Sequence, residues 1–477
     1  MNRILARLAI WGAPVNAEKN FGFVGRRDSM GSELIVLARE NISMAAKKQR
    51  EGKIVHEDLK FNIAGGLDFD LPQMARVRQA FEHHKIDDVG KAVTDEMGRA
   101  DIQSKIKPGA KIAVGVGSRG VANIDTAVKA LIASLKGLGA EPFIFPAMGS
   151  HAGGTAEGQE ALLAGYGVTE SNMGAPIRAT MDTVIVAELE DGTKVHMDKY
   201  AHEADGVVLI NRVKPHTSFR GEIESGVVKM MTIGMGKING ATSLHGNHPI
   251  AEFGDILPRA AKAIMECQPF LFGIGMVEDA YDDTAIVQAM SAENLFVEET
   301  KLQARAKVLM AKLYIEDIDV LVIDEIGKEI SGAGADPNVT GNRDTPGFEV
   351  PRVQKTVILD LTDKTHGNAS GIGSAHVITH RLLRRVDFAS TYANMVTATA
   401  LEGARVPIPM KTAQDAVRLA VKTLIGIEPE DARIVRIRNT LSLGEIEVSE
   451  PILKELQGDG RMEILSQPGK IVFSDAA

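Results

Sequence analysis

Residues with useful chemistry are concentrated between Asn211 and His248, where three histidines and Lys229 occur among several glycines. The three histidines are His216, His245 and His248. Lys229 lies in the apolar run VVKMMTIGM. Glycine lets a backbone approach a ligand closely but contributes no side-chain packing. A lysine in an apolar run is costly unless it is paired, modified or facing a cavity. A single loop histidine is often structural, but this combination predicts a functional site.

Two other loops carry groups that bind anions or transfer protons. Gly117, Ser118 and Arg119 follow the apolar run KIAVGV, and His151 follows EPFIFPA in the segment MGSHAGG. The planar guanidinium of arginine suits a carboxylate or a phosphate, and histidine can act as a general base near neutral pH. Ligands of open parallel sheets bind beyond the carboxyl ends of the strands. We therefore expect these loops and the histidine segment to converge on one crevice.

Gly115, Gly117 and Gly120 have the G-x-G-x-x-G spacing of a dinucleotide-binding turn. The acidic residue that would hold a ribose at the end of the second strand is missing, because Glu141 stands at the start of that strand. Nicotinamide dinucleotide binding is thus only a secondary interpretation. The glycines can still expose backbone N–H groups to a phosphate.

Hydrophobic periodicity predicts alternating helices and strands, hence an α/β fold. We expect two α/β domains with mainly parallel sheets and an active-site cleft between them. The domains are predicted as an N-terminal extension and lead-in at 1–70, a cofactor and catalytic domain at 71–260, and a C-terminal domain at 261–477. The expected helices cover 71–84, 88–106, 125–136, 158–167, 292–313, 381–400 and 412–426, and the expected strands cover 111–117, 141–148, 205–213, 270–277, 284–291, 319–327, 355–361 and 432–441.

Composition narrows the class of protein. The chain has 477 residues and a net charge of −9, which argues against nucleic acid as a partner, since phosphate binding needs a concentrated basic surface. The single cysteine, Cys267, excludes disulfides and zinc-finger sites within one chain. No apolar run has the length of a membrane span. We expect a cytoplasmic protein without membrane partners.

The three loops, in this order, resemble those of the nickel-dependent lactate racemase family. The resemblance rests on GSRG after the first strand, GSHAG after the second, and then His216, Lys229 and His245. Lys229 and His245 are 16 residues apart, which is similar to the family spacing of the corresponding lysine and histidine. The resemblance covers residues 71–260 and identifies a homologue of unknown substrate.

The resemblance implies a nickel-pincer nucleotide, a pyridinium mononucleotide that holds nickel through sulfur, carbon and sulfur. His245 would supply the fourth metal ligand, and square-planar nickel accepts an imidazole. Lys229 would contact or tether the cofactor, with Gly117, Ser118 and Gly226 also contributing to its site. Cofactor-biosynthesis enzymes would be partners.

The implied reaction is the racemisation or epimerisation of a small 2-hydroxy acid, which makes the protein an isomerase. Hydride would pass from the substrate to the cofactor and back, while His151 and His216 move the hydroxyl proton on opposite sides. Arg119 would anchor the substrate carboxylate.

Several positions depart from the family pattern. Val116 replaces an acidic residue before Arg119, and the longer segment from His216 to Lys229 contains polar residues. A glutamine and lysine pair expected in the second domain is replaced by a segment that offers Asp336, Asn338 and Arg343. The charged residues of the longer segment between His216 and Lys229 are Arg220, Glu222 and Glu224. A larger or more polar acid, including a sugar acid, is therefore a plausible substrate.

Two other functions fit the residues. One is a hydrolase or lyase in which His216, His245 and His248 bind zinc or iron directly. The other is a nucleotide-binding protein without catalytic activity. The segment with His366 and His376 has glycines and serines typical of a ligand loop, but its role is unassigned.

Overall fold

The computed structural model describes residues 62–117, 120–341 and 345–473. These belong to one compact unit, Lys60–Ala477. Most of the predicted N-terminal extension, together with Ser118, Arg119 and Arg343, lies outside the described residues. None of the helices within these ranges combines the length and apolar character needed to cross a bilayer.

The strands form two large sheets and a hairpin. In the described ranges they are β1 (Met74–Gln79), β2 (Lys111–Val116), β3 (Glu141–Pro146), β4 (Thr183–Glu188), β5 (Lys194–Asp198), β6 (Gly206–Arg212), β7 (Phe270–Glu278), β8 (Thr284–Ser291), β9 (Asp317–Ile326), β10 (Arg352–Leu361), β11 (Val377–Thr379), β12 (Ile408–Met410), β13 (Ile434–Ile437), β14 (Glu445–Ser449) and β15 (Met462–Ile464).

The helices cover the faces of these sheets. They are α1 (Val89–Met97), α2 (Ala100–Gln103), α3 (Ile124–Gly137), α4 (Ala156–Gly165), α5 (Glu170–Met173), α6 (Lys199–His202), α7 (Gly226–Lys229), α8 (Lys237–Asn247), α9 (Phe253–Cys267), α10 (Leu295–Leu309), α11 (Pro337–Thr340), α12 (His380–Arg385), α13 (Phe388–Thr397), α14 (Ala413–Lys422) and α15 (Glu450–Glu455).

The first sheet has the strand order β3-β2-β6-β7-β8 and is parallel except for β8. Its central strands are apolar except at their ends, as expected of strands that are buried on both faces. On α3, the buried residues recur at three- and four-residue intervals, for example Ala127, Val128 and Leu131. This face of α3 packs in the same core as Ile112 and Val114 of β2.

The second sheet has the order β12-β11-β10-β9-β13-β14-β1-β15. The first five strands in this order, from β12 through β11, β10 and β9 to β13, are parallel to one another. The remaining three, β14, β1 and β15, pair in the antiparallel direction. The expected fold class, an α/β protein with mainly parallel sheets, is therefore confirmed. The domain limits stay a prediction, and the first sheet extends in sequence as far as residue 291 because β7 and β8 belong to it.

The helix predicted over residues 71–84 is wrong, since Met74–Gln79 is a strand. Its residues alternate, with Ala75 and Val77 buried and Arg76 and Arg78 exposed. The strand pairs with β14, from the far end of the chain. Pairing with a distant strand outweighed the local helical spacing.

Candidate functional site

The three sequence-predicted loops begin at one edge of the first sheet. Strands β2, β3 and β6 are parallel neighbours, and they end at Val116, Pro146 and Arg212. The carboxyl edge of these strands therefore leads into the loop at Gly117, the loop with His151 and the histidine segment. Ser118 and Arg119, the predicted cofactor and substrate contacts, lie outside the described residues.

A carboxylate at the end of β7 connects the segment after β2 to the first sheet. Glu278, at the end of β7, accepts a hydrogen bond from Ala122 N at 2.7 Å and forms an ion pair with Arg212. Gly117 has no room for a side chain, because a Cβ there would lie 2.7 Å from Asn211 Oδ1. Its predicted role in cofactor binding stays a prediction.

His151 is held in a defined tautomer. Its Nδ1 lies 2.8 Å from the carbonyl oxygen of Met148, which can only accept a hydrogen bond. Nδ1 therefore carries the proton in the neutral ring, and the lone pair is on Nε2. This is the tautomer that a general base acting through Nε2 requires.

His216 has the opposite arrangement. Its Nδ1 accepts a hydrogen bond from Ser218 N at 3.1 Å, so the neutral ring carries its proton on Nε2. Its own backbone N donates to Glu224 Oε2 at 2.8 Å. Glu224 is fully buried and also accepts from Gly221 N at 3.2 Å and Lys307 Nζ at 2.6 Å. This carboxylate organises the turn that presents the imidazole.

The carbonyl oxygen of His216 accepts hydrogen bonds from two side chains, one of which belongs to the segment after β9 of the second sheet. Asn338 Nδ2 donates to it at 3.0 Å, and Arg220 Nη1 donates at 3.2 Å. Arg220 also donates from Nε to Gly347 O at 2.8 Å and stacks on Phe348, with its guanidinium carbon 3.5 Å from the ring centroid. The His216 loop is thereby fastened to the second sheet.

Asp336 and Asn338 were predicted to offer substrate contacts in place of the family pair. In the structure, Asp336 Oδ1 accepts from Asn338 N at 2.9 Å and from Asn338 Nδ2 at 2.8 Å. The amide of Asn338 is thus directed toward His216. Both residues support the His216 loop through its backbone, and Arg343 lies outside the described residues.

A row of aromatic rings joins His216 to His245. The ring centroids of His216 and Phe219 are 4.3 Å apart, those of Phe219 and Phe253 are 5.9 Å apart, and those of Phe253 and His245 are 4.6 Å apart. Lys229 Nζ lies over Phe219, 5.8 Å from its centroid. The structure therefore brings together three of the predicted residues.

His245 lies on α8 and is suited to binding a metal. Burial, and secondly the positive charge of Lys229, lower the pKa of its imidazole below the ordinary value. A neutral imidazole is the form that coordinates metals. The donor set, one neutral histidine beside one ammonium group, fits a nickel ion carried by an anionic nucleotide that supplies its other ligands.

Lys229 ends the short helix α7, which is followed by a π-helical turn at Met230–Gly234. Such turns are frequent at functional sites. The start of α7 is capped by Glu299 of α10, which accepts from Val228 N at 3.0 Å and from Val227 N. Burial raises the pKa of Glu299 to about 8, although the two N–H donors act in the opposite direction.

Gly226 permits this close contact with the carboxyl group. Its φ is +81°, and a Cβ would lie 2.0 Å from Glu299 Oε1. The structure thus gives Gly226 a packing reason to be glycine, and its predicted cofactor contact stays a prediction.

His248 does not join the other two histidines as a third ligand. Its Nε2 lies 3.0 Å from Thr193 Oγ1 and 3.4 Å from Asp191 Oδ2, and its Nδ1 lies 3.6 Å from Glu252 Oε2. Across the described ranges, no three His, Cys, Asp or Glu side chains are grouped so that they could hold a metal. A metal bound directly by three histidines has no support in this geometry.

The segment with His366 and His376 lies beside the second sheet. His376 Nδ1 accepts a hydrogen bond from Thr356 N at 3.0 Å and therefore supports strand β10. His366 lies in a turn with φ +50°. The role of the segment stays unassigned.

Sequence reasoning missed a buried polar cluster beneath the His151 loop. It consists of Lys237, Asp198 and Gln159, all with fully buried side chains. The signal was available, because Lys237 is a cation in a glycine-rich apolar segment just as Lys229 is.

A cavity lies between the loops of the two sheets. Its lining includes Lys214 and Pro215 after β6, Glu278 of β7, Ile330 and Asp336 after β9, and Thr440 after β13. Its lining does not include His151, His216, Lys229 or His245, and the expected active-site cleft between two domains stays a prediction.

Comparison with known proteins agrees with this geometry. Residues 68–252 match the family model of the lactate racemase N-terminal domain. The lactate racemase apoprotein from Thermoanaerobacterium thermosaccharolyticum is structurally similar, with a TM-score of 0.52 and 16% identity over 81% of this chain and 96% of that chain. A protein from Thermotoga maritima gives a TM-score of 0.45 and 13% identity over 76% of this chain and 99% of that chain.

No curated protein matches the chain. At these low identities, the likeness to lactate racemase apoprotein shows the fold. The resemblance inferred from the loops is confirmed by the family match, which contains His151, His216, Lys229 and His245.

Proposed function

We propose that the chain is a racemase or epimerase of a 2-hydroxy acid, because residues 68–252 match the family model of the lactate racemase N-terminal domain. The observation that supports this most strongly is the joint placement of His216, Lys229 and His245 around Phe219 and Phe253. We further propose that the enzyme uses a nickel-pincer nucleotide.

In this proposal, residues beside the aromatic row would hold the cofactor. His245 would bind nickel through a neutral imidazole, and Lys229 would bind an anionic group of the cofactor. Ser118, Gly117 and Gly226 remain proposed contacts. When bound, the cofactor supplies a hydride acceptor, which avoids removing a weakly acidic C–H proton as such.

The protein's own contribution is proton transfer at the substrate hydroxyl. His151 has its lone pair on Nε2 and can take the hydroxyl proton from a substrate bound on its side. His216 presents Nε2–H, which can donate a hydrogen bond to the same oxygen on the other side. To act as a base, His216 must move its proton to Nδ1 and break the hydrogen bond from Ser218 N.

Arg119 is the proposed anchor for the substrate carboxylate. Such an anchor would keep the carbinol carbon in place while the hydroxyl changes sides. The cavity between the two sheets has both cationic and anionic lining residues, including Lys214 and Glu278. We propose that additional hydroxyl groups of the substrate, such as those of a sugar acid, extend from His216 toward this cavity, whose lining includes the preceding residues Lys214 and Pro215.

The proposal is tested by producing the full chain with the cofactor-biosynthesis enzymes. Nickel content and the mass of the intact chain are measured first. The mass also shows whether a covalent adduct is present, as a bond between the cofactor and Lys229 would require. Enantiomers of several 2-hydroxy acids, deuterated at C2, are then supplied and products are separated by chiral chromatography. Inversion with deuterium retained at C2 is expected, whereas loss of the label to water would indicate deprotonation and refute hydride transfer.

Three variants separate the proposed roles. His245→Ala should remove nickel, while His151→Ala and His216→Ala should keep nickel and lose activity by about 100-fold or more. Full activity in nickel-free protein would overturn the proposal.

A further inference from the structure

The buried cluster beneath His151 contains an ion pair that is out of contact with water. Lys237 Nζ lies 3.0 Å from Asp198 Oδ2, and both side chains are fully buried. The ammonium also donates to the carbonyl oxygen of Pro146, the last residue of β3. Asp198 Oδ1 accepts from Ala201 N at 3.1 Å. Isolated charges are very costly at such depth, so the pair is stable only with these partners.

Burial lowers the pKa of Lys237, and the charge of Asp198 opposes this effect. Lys237 also adopts a φ of +55°, which is uncommon for a residue with a side chain. The backbone at the start of α8 therefore takes a strained conformation that directs this side chain inward. Other interactions must offset the free-energy cost of burying this charge and the cost of the positive φ.

Gln159 connects the ion pair to the catalytic loop. Lys237 Nζ donates to Gln159 Oε1 at 3.3 Å. On its other side, Gln159 Nε2 lies 2.9 Å from Gly149 O and 3.4 Å from His151 O. An ammonium can only donate and a carbonyl oxygen can only accept, so the ion pair determines which way the amide points.

The loop that Gln159 holds needs external support. Gly149, Gly153 and Gly154 have φ of +57°, +71° and +64°, and Ala152 has φ +54°. Glycines cost more conformational entropy to order than other residues. The bond from His151 Nδ1 to Met148 O depends on this loop conformation, because both groups belong to it.

We propose that Gln159 is a positioning residue for His151, and that the buried Lys237–Asp198 pair orients its amide for this role. Through the loop carbonyls, Gln159 keeps Met148 O where it fixes the Nδ1–H tautomer of His151. The tautomer and position of the base thus depend on an ion pair that does not touch the substrate. The kinetic consequence of this proposal rests on the proposed racemase function, whereas its effect on the His151 tautomer does not.

The structure offers a matched control for Gln159. Gln79 is also buried and donates from Nε2 to two backbone carbonyls, Leu443 O at 2.9 Å and Lys312 O at 3.3 Å. It lies on β1 of the second sheet. Gln159→Met and Gln79→Met should cost similar free energy of unfolding, because each removes one equivalent amide.

The first measurement needs neither cofactor nor substrate. The full chain is labelled with 15N at histidine, and the His151 signals are assigned by their loss in His151→Asn. We expect an Nδ1–H tautomer for His151 in the wild type and in Gln79→Met, and a mixture of tautomers in Gln159→Met. Gln159→Glu provides a second variant that keeps a partner for Lys237 but cannot donate to the loop carbonyls, and it should show the same change.

The second measurement is made on enzyme loaded with cofactor. Gln159→Met and Gln159→Glu should lower kcat by about 10- to 100-fold with KM changed by less than about 3-fold, and should shift the pH profile of kcat. Wild-type His151 signals in both Gln159 variants would overturn the proposal. The same conclusion would follow if Gln79→Met lowered kcat as much as Gln159→Met. A changed tautomer in protein that shows no racemase activity would support the positioning role and count against the proposed function.

Discussion

Replacing Glu299 with glutamine should flatten the dependence of the unfolding free energy on pH between 4.5 and about 8. Burial raises the pKa of this carboxyl from 4.5 to about 8 in the folded state. Between these values, the unfolded chain has lost the proton while the folded chain keeps it. The wild-type protein therefore loses stability as the pH rises through this interval, by about 1.4 kcal/mol for each pH unit.

The magnitude follows from the size of the interval. Between about pH 5.5 and 7.5, this single group should cost the wild type about 3 kcal/mol relative to Glu299→Gln. The amide of glutamine can accept only one of the two N–H groups at Val227 and Val228. The substitution therefore lowers the free energy of unfolding by about 1 kcal/mol at every pH.

Urea unfolding followed by far-UV circular dichroism measures this difference at a series of pH values. Other titrating groups contribute equally to both proteins and cancel in the subtraction. Glu160→Gln removes an exposed carboxyl on α4 and serves as the control for a change of net charge. Parallel stability curves for wild type and Glu299→Gln would refute the reasoning. A wild type that gains stability relative to the variant as the pH rises would show that the two N–H bonds outweigh burial.

Three further substitutions test other contacts. Asn338→Ala removes the amide that holds His216 O and should lower kcat about 10-fold in loaded enzyme, with a loss of about 1 kcal/mol of unfolding free energy. His248→Ala should leave the nickel content measured by mass spectrometry unchanged, because this side chain pairs with Thr193 and nearby carboxylates instead. Gly226→Ala should cost more than about 3 kcal/mol in urea unfolding, since the methyl group would overlap Glu299 and φ is positive.

Controls for these substitutions are present in the chain. Asn172 Nδ2 donates to Gly167 O at 3.0 Å on the surface of the first sheet, so Asn172→Ala should leave kcat unchanged. A Cβ at Gly165 would meet no atom within 4 Å, so Gly165→Ala should not destabilise the protein. Equal kcat losses for both asparagine variants would contradict the role given to Asn338. Loss of nickel in His248→Ala would show that His248 contributes to metal binding. Equal stability of the two glycine variants would contradict the close contact between Gly226 and Glu299.

Local patterns in the sequence were sufficient for most helices and parallel strands. The helix expected at 125–136 is Ile124–Gly137, and the strand expected at 111–117 is Lys111–Val116. In these segments, the spacing of apolar residues matches the face that is buried. The error at 71–84 arose because the apolar spacing suits a helix locally, while the partner strand Glu445–Ser449 lies near the other end of the chain.

The location of the site followed from the rule that ligands bind at the carboxyl ends of parallel strands, but its supporting contacts could not be predicted in the same way. The bond from Asn338 to His216 spans 122 residues of sequence and depends on how loops of two sheets meet. Lys237 and Lys229 gave the same signal, an apparently uncompensated cation. The folded chain shows that Lys237 is paired with a buried carboxylate, a contact between distant residues that the local sequence does not indicate.

The two proposed proton-transfer residues are supported from different parts of the molecule. The loop of His151 is held by Gln159 and by a bond from Gly149 N to Gly234 O, all within the first sheet and its helices. The carbonyl of His216 is held instead by Asn338, from a loop of the second sheet. A change in the separation of the two sheets would therefore disturb the bond from Asn338 to His216 O but none of these bonds to the His151 loop. Because the proposed proton transfers require each histidine to lie within hydrogen-bond distance of the substrate hydroxyl, we expect the contact between the sheets to affect the step at His216 more than the step at His151.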